Sequence, residues 1–132
     1  MLKKTIKYTD YNGVEREEDF YFNLNKAELT EMELSHDGGL TGMIERIVKE
    51  QDSKEIIKVF KDLVLKAYGV KSDDGKRFIK NEEVRDSFAQ TEAYSELFME
   101  LAMDANAATA FVNGIIPENK RSNEPTQPAL NN

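Results

Sequence analysis

The chain has 132 residues, 25 acidic against 18 basic, a formal net charge of −7, one histidine and no cysteine. One domain of this length buries about two thirds of its unfolded surface without a crosslink. The missing cysteines exclude disulfides, thiolate metal sites and cysteine nucleophiles, and a single histidine excludes a histidine-rich zinc site. The acidic balance argues against general binding of nucleic acid, which needs clustered Lys and Arg. No apolar run approaches the roughly twenty residues of a membrane span, and the first residues lack the apolar core of a signal peptide. The expected location is therefore the cytoplasm in which the chain is made, with no membrane partner.

Leu2 to Asp10 reads as a strand with Leu2, Ile6 and Tyr8 on one face. The Asn12-Gly13 pair then signals a β-hairpin. The return strand begins with the charged run Glu15 to Asp19, which can face Lys3, Lys4 and Lys7, and continues into Phe20, Phe22 and Leu24 at a period of two. Asn25 stands three residues before Glu28, the spacing of a capping box, so a helix should start there. Ala27, Leu29, Met32 and Leu34 are its candidate core stripe.

Ser35-His36-Asp37-Gly38-Gly39 reads as a helix stop and loop. The next helix carries Leu40, Met43, Ile44, Ile47 and Val48 at amphipathic spacing. Asp52-Ser53 caps a further helix with Ile56, Ile57, Phe60, Leu63, Val64, Ala67 and Tyr68, widened by Val59 and Leu65 into an arc packed on more than one side. Gly69 is its expected C-terminal stop. Val70 to Lys80 reads as a loop or minor hairpin anchored by Phe78 and Ile79. A short helix over Asn81 to about Gln90 offers Val84 and Phe88. Thr91 then caps one long helix, Glu92 to Asn113, ended by Gly114 and Pro117. Its second half is rich in alanine, at Ala102, Ala105, Ala107, Ala108 and Ala110, which permits close approach of another helix. The fold class expected is α+β, mainly α: a hairpin over residues 1–24 packed on about five helices within one domain, 1–116, and a disordered tail over 117–132.

No constellation carries catalysis. Ser35, His36 and Asp37 have the residue types of a hydrolase triad, but neighbours on one backbone cannot align for proton transfer. Gly38-Gly39-Leu40-Thr41-Gly42 lacks the Lys-Ser or Lys-Thr of a phosphate loop, and Asp73-Asp74-Gly75 lacks the ligands of a calcium loop. Carboxylate pairs such as Glu15 with Glu17, Glu31 with Glu33, or Glu96 with Glu100 read as solvated surface. No enzyme, cofactor or metal site is expected. The apolar stripe of the last helix has the best claim to function, set against its plain reading as the core of this same domain. Met99, Met103 and Phe111 add to a face already full, and apolar area beyond one domain's need points to a partner or to a homo-oligomer.

The order of Asn25-Lys26-Ala27-Glu28-Leu29, the Gly38-Gly39 turn, Ala67-Tyr68-Gly69 and Thr91-Glu92-Ala93-Tyr94, across about Phe20 to Pro117, resembles the small tail assembly chaperones of long-tailed phages of Gram-positive bacteria. The resemblance implies a non-enzymatic protein that coats the tape measure protein, keeps it soluble, and yields to tail tube subunits. It further implies residence in the host cytoplasm and absence from the mature virion. A longer form made by programmed frameshifting would recruit tail tube protein, and the tail from Glu118 is a plausible place for it to diverge. Tyr94, Leu97, Phe98, Leu101 and Phe111 are the candidate partner-binding residues. The alternative is another phage or mobile-element interaction protein, an adaptor or an acidic inhibitor of a host factor.

Overall fold

The computed structural model describes residues 1–35, 39, 42, 45, 46, 49 and 54–117. Within them the chain runs β1 (Leu2–Thr9), β2 (Glu15–Phe22), α1 (Lys26–Ser35), α2 (Lys54–Ala67), β3 (Tyr68–Lys71), β4 (Phe78–Ile79), α3 (Glu82–Ala89), α4 (Glu92–Met103) and α5 (Ala105–Ile115). The fold is α+β and mainly α. Its hairpin is extended into a four-stranded antiparallel sheet of order β1-β2-β3-β4.

β1 and β2 pair along their whole length, from Leu2 opposite Phe22 to Thr9 opposite Glu15. Alternation puts Leu2, Ile6, Tyr8, Phe20 and Phe22 toward the helices, where Ile6 and Phe22 are buried. At the tip the Asp10 carboxylate accepts the N–H groups of Asn12 and Val14, and Gly13 takes the positive φ of 82° that closes the turn. The Arg16 guanidinium, 2.6 Å away, and these two amides hold the Asp10 carboxyl below the ordinary carboxylate range. Lys3 and Lys7 reach Asp19 and Glu17 across the ladder, as the charge pattern suggested. Lys4 does not join them: it lies in the inward row opposite Phe20 and pairs with Glu100 of α4 at 3.2 Å.

The capping box at Asn25 forms in both directions. Asn25 Oδ1 accepts from Glu28 N at 2.8 Å, and Glu28 Oε1 accepts from Asn25 N at 2.9 Å. Leu29 and Met32 are buried, whereas Ala27 and Leu34 are exposed and do not join the stripe. At 3.6 residues per turn Leu34 lies about 140° around the helix from Leu29, on the opposite side. Lys80 Nζ secures the same corner, donating to both Glu28 carboxylate oxygens and to the Asn23 carbonyl at 2.7 Å. Burial pulls the Lys80 ammonium pKa down, and Glu28 opposes that shift. His36, the glycine-rich stretch around Leu40, the helix carrying Met43, Ile44, Ile47 and Val48, the Asp52-Ser53 cap and the tail from Glu118 lie outside the described residues.

α2 buries Phe60, Leu63, Val64 and Ala67, and also packs Val59 and Leu65 against the core, the two-sided burial its wide arc required. Its end corrects the sequence reading. The helix stops at Ala67, whose carbonyl accepts from Asn23 N at 2.8 Å, and Tyr68 and Gly69 pair as strand with Phe22 and Tyr21. Gly69 is thus not a helix stop. A Cβ there would stand 2.7 Å from the Phe78 ring and 3.0 Å from the Ile79 carbonyl oxygen, so glycine lets β4 close on β3. The stretch Val70 to Lys80 is accordingly a hairpin, turned by Ser72, Asp74 and Gly75.

Thr91 caps α4 as its chemistry predicts, and Asn81, expected as the first residue of the short helix, is instead the cap of α3, accepting from Val84 N. The single long helix expected from Glu92 to Asn113 is instead two. Asp104, with φ −137° and ψ 104°, ends α4, and its carboxylate accepts the N–H groups of Asn106 and Ala107 to start α5. The break lets Phe111, Val112, Ile115 and Ile116 turn into the core beside Phe22, Leu24, Leu97 and Leu101.

Candidate docking surface

α4 divides the sequence candidates into two groups. Leu97 and Leu101 stand one turn apart on its core-facing stripe, with exposures of 1% and 2%, and Phe111 of α5, at 4%, packs edge-on to Phe22 with ring centroids 5.3 Å apart. In this fold all three are core. Tyr94 and Phe98, the next two positions around the helix, are half-buried. They lie side by side with centroids 5.9 Å apart, and Tyr94 meets Phe88 edge-on at 5.7 Å. Burial raises the Tyr94 phenol pKa.

These two rings floor an open depression of about 350 Å³, walled by Tyr11 of the hairpin tip, Lys61 of α2, Ala89 of α3 and Thr91, Glu92 and Ser95. Thr91 fixes the near rim: its hydroxyl donates to the Phe88 carbonyl at 2.7 Å and accepts from Tyr94 N at 3.1 Å. Tyr11 forms a further wall. Its ring is 77% exposed, and its hydroxyl donates to Glu92 Oε2 at 2.9 Å, a bond that also raises the phenol pKa. Nothing in the sequence brings Tyr11 to α4, since an aromatic residue in a turn usually only decorates the tip. Along the outer side of α4, Met99 and Met103 are 49% and 76% exposed and four residues apart, so they share one face.

Two other concavities flank β1. One, of about 150 Å³, lies between Leu2, Lys4 and Glu100 and the α5 residues Ala107, Ala110 and Phe111. The other, of about 490 Å³, is polar and lined by Lys7, Tyr8, Thr9, Glu15, Arg16, Glu17 and Glu96. Lys7 pairs with Glu17 within it, while Arg16 pairs with Asp10 and Glu18 and Tyr8 donates to Glu18 beside it. Glu15, Glu17, Glu31, Glu33, Glu96 and Glu100 are all exposed. Among the described residues no group of three His, Cys, Asp or Glu side chains converges to hold a metal ion, and no helix is long and apolar enough to cross a membrane.

The chemistry available on α4 is adhesive. Two aromatic faces and two thioethers offer polarisable apolar contact, and Lys61, Glu92 and Ser95 offer polar contacts at its margin. Residues 1–129 match the family model described as phage tail assembly chaperone. No curated protein and no solved structure matches.

Proposed function

Because the chain belongs to a phage tail assembly chaperone family, we propose that it binds the tape measure protein of a long-tailed phage of Gram-positive bacteria, keeps it soluble and supports tail tube assembly, with no catalytic step. The observation that carries this reading is the half-buried pair Tyr94 and Phe98 in an open depression, beside the exposed Met99 and Met103. An apolar helix of a client fits such a surface by helix-in-groove contact, and methionines adapt to more than one register along it. Leu97, Leu101 and Phe111 support the surface from beneath. The net charge of −7 keeps the loaded chaperone dispersed.

In this reading residues 1–116 work as one domain in the host cytoplasm, copies self-associate, tail tube protein is met through a longer frameshifted form, and the chaperone leaves before the virion is complete. An adaptor or acidic inhibitor of a host factor would need one contiguous acidic face. Lys3, Lys7 and Arg16 interrupt the acids of the hairpin.

Co-expression with fragments of the tape measure protein from the same genome tests the proposal. Wild type should hold a fragment in the soluble fraction and co-purify with it. Met99→Asp with Met103→Asp, both on exposed positions, should retain the wild-type circular dichroism and lose at least several-fold of the client. Failure of the wild type to hold any fragment overturns the role; an undiminished yield with the double variant overturns the surface.

A further inference from the structure

α4 and α5 meet without a loop. Asp104 alone is non-helical, and its carboxylate satisfies only the N–H groups of Asn106 and Ala107. Asn106 apart, the residues around the junction favour continuity: Ala102, Ala105, Ala107, Ala108 and Ala110 are strong helix formers, and the apolar spacing passes through the break. With Asp104 in helical dihedrals, the orphan carbonyls ending α4 would meet the orphan N–H groups starting α5, giving one rod about 36 Å long.

Such a rod carries α5 away from its own core. Ala108, Phe111, Val112 and Ile115, all buried now, would leave a cleft bounded by Phe22, Leu24, Leu97 and Leu101. Only a segment of the same shape refills that cleft, and a second opened copy offers one. We propose that α5 is exchanged between two copies of this chain, with Asp104 as the hinge.

The exchange regains in trans each contact made in cis, including the bond from Leu24 N–H to the Ile115 carbonyl at 2.7 Å and the edge-on Phe22–Phe111 pair. Those contacts therefore cancel in the equilibrium. What remains is the hinge and the concentration: helix continuity favours the exchanged dimer, while the Asp104 cap and the entropy of association favour the closed monomer. The inference gives a structural form to the self-association in the proposed function and rests on that part alone.

Light scattering after size exclusion, with circular dichroism, on the full chain tests it with two opposed variants. Asp104→Ala removes the cap and permits the rod. Ala105→Pro locks the bend: proline suits the first helical position, the Ala105 N–H is not one that Asp104 holds, and proline requires the near-extended backbone that Asp104 already has. Expected are a concentration-dependent wild-type dimer, a roughly tenfold tighter dimer of higher helix content for Asp104→Ala, and a folded monomer for Ala105→Pro and for the double variant. A folded, monomeric Asp104→Ala overturns the inference, as does a wild-type dimer that Ala105→Pro leaves intact. If Asp104→Ala does not fold, the wild type and Ala105→Pro decide alone: without a wild-type dimer that proline removes, there is no exchange. An Ala105→Pro monomer that still holds its client soluble would leave the chaperone role standing.

Discussion

The hairpin and the α4–α5 pair are built on opposite principles. In the hairpin several signals agree: alternation sets the inward row, Asp10 and Gly13 set the turn, and Lys–acid pairs sit across the ladder. Losing one leaves the rest. In α4–α5 the alanines and the apolar spacing favour one helix, Asp104 ends the first, and the tertiary core requires two. Redundant specification gives a fixed element, while specification by one residue gives an element with two accessible forms.

Phe22→Ala should have the largest effect, because Phe22 belongs to both regions, touching Phe111 of α5 and Phe88 of α3 from its place in β2. Removing a wholly buried phenylalanine costs about 3–5 kcal/mol. If the regions form one cooperative unit, chemical denaturation will show a single transition at lower denaturant with an unchanged slope; a second transition would separate them.

Gly69→Ala reaches only the sheet extension and should cost about 1–3 kcal/mol, since the added methyl meets the Phe78 ring and a β4 carbonyl. The sharper version of this test pairs it with Gly114→Ala in α5, where the obstacle is chiefly the mobile end of the Leu2 side chain. The first should lower the thermal midpoint clearly more than the second, and equal losses would refute the close approach of β4.

The smallest effect is at the hairpin tip. Asp10 has its pKa lowered on folding, mainly by Arg16, so its stabilisation is fully present above the unfolded value near 4 and is lost as pH falls through the folded value. Asp10→Asn should melt below wild type at pH 7, and the gap should close on acidification. A gap constant with pH would mean that the carboxylate charge contributes nothing.

What was legible in the sequence follows from these contrasts. Asn25 with Glu28 and Thr91 act on N–H groups three residues away, so local chemistry alone identified those caps, and Asn81, read as the start of its helix, proved to be one residue outside it. Gly69 was misread because a glycine after an apolar helical run is locally the same whether it ends a helix or passes under a ring of β4. Asp104 was missed because aspartate is tolerated in a helix and only the burial of Phe111, Val112 and Ile115 requires a bend there. The candidate surface was half legible. The stripe of the single last helix expected from sequence named Tyr94, Leu97, Phe98, Leu101 and Phe111 together, but spacing could not say which side of that stripe the rest of the chain would cover. Tyr11 stayed invisible because only the docked hairpin brings it to Glu92.

The corner at Asn25 bears on how the protein is made. Glu28 serves the box and also receives Lys80, and Leu24 just before it is bonded to Ile115. On the ribosome, residues 1–35 emerge long before those partners, so the nascent hairpin has its turn and register but no lid over Phe22 and Leu24. Closure across such sequence separations is slow. Until Lys80 and Ile115 have emerged and docked, its own apolar strand is therefore exposed to the same hazard as any aggregation-prone protein made beside it.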